Sequence, residues 1–312
     1  MKVLVTGGAG FIGSHIVDAL VDGGARAAVL DDLSTGMLEN IKKEVNFYHG
    51  DLRDREFVFR CLQRERPGVI IHQAAQVSVP KSLADPAEDA RVNIVGSLNL
   101  LEAARAGGVK KVVYASSAAV YGAPEHLPAD ERHPVRPISG YGLSKYAVER
   151  YLDLYRDLYG LDYTVLRYAN VYGPRQDARG EGGVVAVFID RLLRGEQPVI
   201  FGDGRQTRDF VCVSDVVRAN LCAIEGGSGM TFNIGTGRPV TVNRLFDILK
   251  EVAGCSGSPL YGSPRPGDIR DSWLDCGRAE SVLGWTAGVD LEQGLRYTFE
   301  QTVNLFQHSR IK

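Results

Sequence analysis

The sequence is short of several things, and each shortage narrows what the protein can be. No apolar run approaches the ~18 to 20 residues that span a bilayer. Neither sign of charge dominates: 36 Lys and Arg stand against 38 Asp and Glu, for a formal net charge of −2 and a pI near 6.3. A chain so nearly neutral has no global electrostatic reason to bind nucleic acid or an anionic membrane, and neither is expected as a partner. Cysteine is sparse, with five residues at Cys61, Cys212, Cys222, Cys255 and Cys276. The number is odd and no two form a C-x-x-C pair, which argues against a disulfide framework or a zinc knuckle. Scattered reduced thiols and no metal are expected. Met1 to Thr6 meets Gly7 and Gly8 too early to hold the apolar stretch of a signal peptide, so a cytoplasmic protein is expected. Internal repeats and low-complexity tracts are absent.

Glycine, by contrast, is plentiful: 36 of 312 residues, above the ~7% of average usage. An apolar fraction of 44% and a charged fraction of 24% fit a globular protein, and the length leaves room for two domains. The first half alternates strands with helices. Strand patterns fall at Val3–Val5, Ala27–Leu30, Val45–Tyr48, Val69–Ile71, Lys111–Ala115 and Tyr163–Leu166. Helical patterns fall at Phe11–Val21, Arg55–Arg64, Pro86–Ala106 and Tyr141–Tyr159. This rhythm predicts a doubly wound α/β fold of the Rossmann type, with a parallel sheet covered on both faces. The rhythm ends near Tyr172. A polar, glycine-rich loop over Pro174–Gly183, a helix over Val184–Leu193 and shorter elements follow. The expectation is a first domain over 1–172 and a smaller α/β domain over 173–312, some of whose segments pack back on the first.

Between the first strand and the first helix lies Thr6-Gly7-Gly8-Ala9-Gly10-Phe11-Ile12-Gly13. Glycines at 7, 10 and 13 let backbone approach a pyrophosphate, and the free N–H groups of the helix N-terminus complete an anion site. Strand–turn–helix is the context that gives such a motif weight. Asp31 and Asp32 close the second strand, where an acid can accept ribose hydroxyls and repel a 2′-phosphate. NAD is therefore favoured over NADP.

Tyr141 and Lys145 stand four apart at the start of a helix, on one face. A phenol with a pKa near ~10 is a poor base at neutral pH. An ammonium at ~4 Å would favour the phenolate by roughly 4 kcal/mol at an effective dielectric of ~20. A bound nicotinium would add to that. The pair follows the fifth strand, whose end carries Ser116 and Ser117, and strand C-termini are where such sheets bind ligands.

With these residues in view, the chain resembles the extended short-chain dehydrogenases, in particular the NAD-dependent nucleotide-sugar epimerase/dehydratase branch and its UDP-glucose (UDP-galactose) 4-epimerases. The likeness runs the whole length, through Asp31-Asp32-Leu33-Ser34-Thr35-Gly36, Gly50-Asp51-Leu52-Arg53, His72-Gln73-Ala74-Ala75, Asn93, Ser116–Gly122, Arg167–Pro174, Arg208-Asp209-Phe210-Val211 and Arg265-Pro266-Gly267-Asp268. The resemblance implies catalysis by Ser117, Tyr141 and Lys145. It implies cofactor contacts at Gly7, Gly10, Phe11, Ile12, Gly13, Asp31, Asp32, Ser34, Thr35, Gly36, Asp51, Leu52, Gln73, Ala74, Ala75, Asn93 and Tyr168, beside the catalytic pair. It implies UDP-sugar contacts at Ser117, Asn170, Val184, Phe201, Arg208, Arg265, Asp268 and Ser272. Two arginines on separate segments could clamp a diphosphate through charge-assisted bonds. His72 is expected to be structural, and Cys212, where many relatives carry histidine, a packing position.

Dehydratases of the branch carry acids directly after the catalytic hydroxyl residue; here those places hold Ala118 and Ala119, and a methyl group does no acid–base work. The expected activity is 4-epimerisation of a UDP-hexose through a transient 4-keto sugar with bound NAD. Relatives with a tyrosine seven places after the motif arginine tend to exclude N-acetyl sugars. Ser272 stands there, so UDP-GlcNAc and UDP-GalNAc are expected to fit as well. The alternatives are epimerisation of another UDP-sugar such as UDP-glucuronate, a net oxidoreductase that releases NADH, and a non-catalytic NAD-binding protein. The Tyr151, Tyr155 and Tyr159 stripe reads as core packing by itself; in relatives this helix and the Pro86–Ala106 helix form a dimer interface, and the resemblance implies a homodimer.

Overall fold

The computed structural model describes residues 1–178, 183–265 and 268–310, the last five of these as backbone only. Arg179–Gly182 of the polar loop, and Pro266 and Gly267 of the Arg-Pro-Gly-Asp motif, lie outside the described residues. The strands are β1 (Lys2–Thr6), β2 (Arg26–Asp31), β3 (Asn46–His49), β4 (Val69–His72), β5 (Lys111–Ser117), β6 (Asp162–Tyr168), β7 (Asn170–Tyr172), β8 (Val199–Phe201), β9 (Thr207–Cys212), β10 (Met230–Ile234), β11 (Pro239–Thr241), β12 (Leu260–Gly262) and β13 (Asp271–Ser272). The helices are α1 (Phe11–Asp22), α2 (Arg55–Glu65), α3 (Val79–Ala84), α4 (Pro86–Ala90), α5 (Gly96–Ala106), α6 (Gly140–Tyr159), α7 (Val184–Leu193), α8 (Val213–Glu225), α9 (Val242–Val252), α10 (Gly277–Leu283) and α11 (Leu291–Arg310).

Seven parallel strands form the main sheet in the order β10-β6-β5-β4-β1-β2-β3. Near-continuous apolar strands such as Val3-Leu4-Val5 and Val69-Ile70-Ile71 need cover on both faces. One face buries Val3, Val5 and Ile71 with Ile16 and Val17 of α1 and Val216 and Ala219 of α8. The other buries Leu4 and Ile70 with Leu62 of α2, Leu100 of α5 and Leu152 of α6. The chain runs outward from β1 to β3 and then restarts at β4 on the other side of β1. That reversal opens a crevice at the strand C-termini, where doubly wound sheets bind ligands. A third core, with Phe188 of α7, Phe210 of β9, and Leu245 and Phe246 of α9, lies under the small sheet β11-β9-β13, to which β7 adds through β9.

One feature makes a sequence-based expectation specific, the packing of later segments on the first domain, and two others were not in the sequence reading. The seventh strand, β10, comes from beyond residue 173, and α8 packs on α1. Phe232 and Ile234 are fully buried there; their partners are distant in sequence, which a local rhythm cannot reveal. The helix expected over Pro86–Ala106 is continuous but not uniform, because Arg91–Val95 forms one wide π turn. Such turns are rare and concentrate at functional sites. Here Asn93 sits inside the turn and is held by the β4 loop and α6. The short helix α3 and the strand β7 have no counterpart in the sequence reading; both are too short for periodicity to register. No helix among the described residues is long and apolar enough to cross a membrane.

Candidate active site

The three motif glycines are required for different reasons. A Cβ on Gly13 would lie 2.1 Å from the Gly7 carbonyl oxygen. A Cβ on Gly7 would lie 2.6 Å from the Ala74 nitrogen, and Gly7 also has φ +68°. These two glycines are needed for the chain's own close packing of the β1 and β4 loops. A Cβ on Gly10 would meet nothing nearer than the Gly7 oxygen at 3.3 Å. Gly10 is the N-cap of α1, with no side-chain cap and no acid in the first turn. It leaves the helix start bare of side chain beside the N–H groups of Phe11, Ile12 and Gly13, a cradle suited to a pyrophosphate. The residues present therefore fit a dinucleotide.

Asp31 is buried, with Oδ2 accepting from Ala9 N at 2.9 Å and Oδ1 from Leu33 N at 2.8 Å. Burial pushes its carboxyl up, while those two backbone bonds pull the other way. A carboxylate keeps further lone pairs, so ribose hydroxyls can still bind. Gly36 folds over this carboxylate: its Cβ would lie 2.8 Å from Asp31 Oδ1. Asp32 accepts from the Ser34 N–H and hydroxyl, and Thr35 is exposed. Asp51 is gripped by Arg53 through Nε and Nη2, which holds its carboxyl below the usual range. Leu52 is buried against the strand faces.

Two of the expected cofactor contacts also make internal hydrogen bonds. Asn93 is 2% exposed and its amide is fully used: Nδ2 donates to Gln76 O, Asp89 Oδ1 and Ser144 Oγ, and Oδ1 accepts from Gln76 N. It holds the β4 loop in place. The Tyr168 hydroxyl also turns inward, bonded to Asn220 and Gln73, and the Gln73 amide bonds Tyr168 and Asn220. Ala74 is positioned by its N–H to Thr6 Oγ1 at 3.4 Å, with Ala75 next to it in the crevice loop. His72 is structural, as its sequence context indicated. Its ring nitrogens bond Thr6 Oγ1 at 2.7 Å and Ser97 Oγ at 2.8 Å, and burial pulls its pKa to about 3.

At the end of β5, Ser117 Oγ caps a tight turn by accepting from Ala119 N. Ser139 caps α6 through Gly142 N, so Tyr141 sits in the first turn and Lys145 one turn on. The Lys145 ammonium is 3% exposed. It donates to Ala115 O at 2.8 Å and lies 5.9 Å from the Tyr141 ring centroid. Burial pulls Lys145 to about 8, against the charges of Asp89 and Glu149, which raise it. For Tyr141 the protein's own groups act upward. Burial raises its pKa, with the Asp89 charge adding to the rise, and outweighs the hydrogen bond with Ser117 that favours the phenolate. The protein's own groups raise the proton affinity of the phenol, and the positive charge of a bound oxidised nicotinamide would lower it. Below this site Glu149 takes Arg167 bidentately and Ser116 Oγ at 2.5 Å, and Arg167 reaches the Tyr121 hydroxyl.

The expected sugar-nucleotide contacts gather around the small sheet. Ser272 lies opposite Arg208 in the β13–β9 ladder, and Asn170 lies exposed opposite Phe210 in the β7–β9 ladder. Arg265 stacks its guanidinium 4.3 Å from the centroid of Phe201, and Val184 opens α7 against the third core. The separate roles expected for Arg208 and Asp268 merge: Arg208 Nη2 donates to Asp268 Oδ1 at 2.5 Å, and Nη1 donates to Thr207 O. Cys212 is buried in the third core. The sequence reading overlooked Asn220, Asp89, Gln76 and Glu149. Asn220 and Glu149 did carry a signal, each a polar residue among the buried positions of its helix.

The seven-stranded sheet, the glycine cradle and the Ser117–Tyr141–Lys145 group define a dinucleotide-dependent enzyme of the short-chain dehydrogenase class. The model of the NAD dependent epimerase/dehydratase family matches residues 3–235, and the chain belongs to that family. Among solved structures it is similar to UDP-glucose 4-epimerase of Thermotoga maritima with UDP-glucose, at 50% identity and TM-score 0.96, covering 98% of this chain and 100% of that one. It is similar to Thermus thermophilus UDP-glucose 4-epimerase complexed with NAD, at 45% identity and TM-score 0.92, covering 96% and 98%. It is also similar to UDP-N-acetylglucosamine 4-epimerase of Methanobrevibacter ruminantium, at 38% identity and TM-score 0.93, covering 97% and 98%.

Proposed function

We infer that the protein is an NAD-dependent UDP-hexose 4-epimerase that interconverts UDP-glucose and UDP-galactose. The observation that carries this reading is the composition of the reactive corner. Ser117, Tyr141 and Lys145 converge at the strand C-termini, and the two residues after Ser117 are Ala118 and Ala119. Bound NAD supplies reversible oxidation at C4 of the sugar. Tyr141 takes the C4 hydroxyl proton and later returns it, Ser117 holds that oxygen, and the Lys145 charge favours the phenolate. Arg208 and Arg265 hold the diphosphate while the 4-keto sugar turns over. Without an acid at 118 or 119 no group there drives loss of water, so the reaction returns to an alcohol.

Ser272 is small and stands opposite Arg208, which supports room for an N-acetyl group; the likeness to a UDP-N-acetylglucosamine 4-epimerase points the same way. A homodimer is the proposed assembly. Tyr155 of the tyrosine stripe is core, but Tyr159, Leu154 and Leu158 on α6 and Val95 in the π turn remain exposed. All five cysteines are free thiols, which suits a reducing cytoplasm. Incubation with UDP-galactose, UDP-GalNAc and UDP-glucuronate separately, with product identification, tests the reading. UDP-glucose from the first and UDP-GlcNAc from the second are expected. Net accumulation of NADH would instead make the protein an oxidoreductase. Light scattering at micromolar concentration is expected to give the mass of a dimer, and a monomeric mass would overturn that assembly.

A further inference from the structure

A buried chain of hydrogen bonds links the glycine turn to the catalytic helix. Its members are Thr6 of β1, His72 of β4, Ser97 of α5, Asn93 of the π turn and Ser144 of α6, none more than 2% exposed. The protons in it have one consistent order. Two oxygens in hydrogen-bond contact need a proton between them, and where one is a carbonyl the hydroxyl must supply it. Ser144 Oγ therefore donates to Tyr141 O at 3.0 Å and accepts from Asn93 Nδ2 at 3.0 Å. Ser97 Oγ donates to Asn93 O at 2.5 Å. With that proton spent, Ser97 accepts from His72 Nε2 at 2.8 Å, so the ring carries a proton there. Burial keeps the ring neutral, which leaves Nδ1 bare to accept from Thr6 Oγ1 at 2.7 Å. Thr6 Oγ1 in turn accepts from Ala74 N at 3.4 Å.

We propose that His72, as its Nε2–H tautomer, is a positioning residue that sets Tyr141 against the bound dinucleotide. This rests on the reading of Tyr141 as the proton carrier and extends it to a residue buried beneath the site. The need follows from the layout. The cradle begins α1 on one face of the sheet, and Tyr141 begins α6 on the other. Hydride and proton leave the same C4–OH unit, so the two faces have to keep register; a misplacement of ~1 Å can cost on the order of 10²-fold in rate. β4 lies between β1 and β5 in the sheet, and His72 at its end is where the chain crosses from one side to the other. The ring uses its nitrogens in opposite senses, one accepting from the turn and one donating towards α6. Losing either bond strands a buried polar group at the break. The same ring backs Tyr114, with centroids 5.5 Å apart, and the Lys145 ammonium lies 5.1 Å from the Tyr114 centroid. His72 thus supports both members of the pair.

Two substitutions in the NAD-loaded enzyme each keep half of the ring's function. His72→Gln places an amide nitrogen near the position of Nε2 and keeps the donor to Ser97; His72→Asn places an amide oxygen near that of Nδ1 and keeps the acceptor for Thr6. Each breaks one link, and each is expected to lower kcat by ~10-fold or more while KM for UDP-galactose changes little. Should either fail to fold, Thr6→Val and Ser144→Ala trim the two ends of the chain by one hydroxyl each. Combined, their losses in kcat are expected to fall short of the product of the single losses, because the first break already frees the second. Unchanged kcat with only a lowered melting temperature, or losses at the two ends that multiply, would make His72 a packing residue and overturn the proposal. A readout independent of turnover is nitrogen NMR of the histidine-labelled wild type, with His72 assigned by its loss in His72→Gln. It is expected to show a protonated Nε2 and a bare Nδ1 at neutral pH, and a proton on Nδ1 would overturn the chain. If the wild type epimerises no UDP-sugar, the functional reading falls. The tautomer, together with the ring signal of Tyr141, which is expected to shift in His72→Asn, then still decides the role of His72.

Discussion

The half that carries the glycine turn and the tyrosine–lysine pair, and the half that carries the small sheet, are built on opposite plans. In the first, the working residues stand close together in sequence: Gly7, Gly10 and Gly13 in one turn, Tyr141 and Lys145 on one turn of α6. They are backed by a sheet whose central strands are fully buried. In the second, Asn170, Phe201, Arg208, Arg265 and Ser272 come from separate segments joined by two- and three-residue ladders. Its charged groups are half-exposed and already pair with each other, as Arg208 does with Asp268. The difference is physical. A rigid, dry site can tune a proton affinity, because charges act strongly where water is excluded. A wetter, segmented site can grip and release a diphosphate.

That contrast predicts where substitutions will act. The largest effect is expected for Tyr141→Phe: kcat falls by at least ~10²-fold while UDP affinity, measured by calorimetry, stays within a few-fold. Near-normal turnover would remove the phenol from the mechanism and erase the distinction between the halves. Next comes a pair of glycine variants. Gly13→Ala drives a methyl group against the Gly7 carbonyl and is expected to cost about 2 to 3 kcal/mol in denaturant unfolding. Gly10→Ala is expected to leave stability within ~1 kcal/mol and to weaken NAD binding instead. Equal losses of stability in the two would contradict the assignment of Gly10 to the ligand.

Arg208→Ala probes the other half. Loss of a charge-assisted contact worth ~1.5 to 3 kcal/mol should raise KM for UDP-galactose by roughly 10- to 100-fold with the melting temperature little changed. A large fall in kcat at unchanged KM would place Arg208 in the chemistry and blur the comparison. The smallest effect concerns His72. Its folded pKa, about 3, lies below its ordinary 6.5, so the unfolded chain binds more protons between those values. The stability of the neutral ring is therefore present in full above pH 6.5 and lost as pH falls towards 3. This residue alone should make the wild type roughly 1 kcal/mol less stable at pH 5.5 than at pH 7. His72→Gln is expected to flatten that part of the unfolding profile, and an unchanged slope would show that the ring is not held neutral.

Much of the first half could be read without coordinates. The strand–turn–helix around Gly7–Gly13 and the Tyr141–Lys145 spacing are local relations, and local geometry follows from residue order. What could not be read locally is what long-range packing does to a side chain. Asn93 and Tyr168 have residue types that suit a ligand, yet their polar groups are consumed by Gln76, Ser144, Gln73 and Asn220. Tyr141 has the right neighbour for a lowered pKa, yet burial wins.

By itself the order of residues determined a dinucleotide cradle, a tyrosine–lysine pair on one helix face and an alternation that can close only as a covered parallel sheet. All of these follow from contacts within a few residues. Tertiary structure alone decided that β10 and α8 return to complete the first layer, and that Arg208 meets Asp268. Those meetings depend on closing long loops and on how much water is squeezed out where the segments meet, and neither quantity is written in any short stretch of chain.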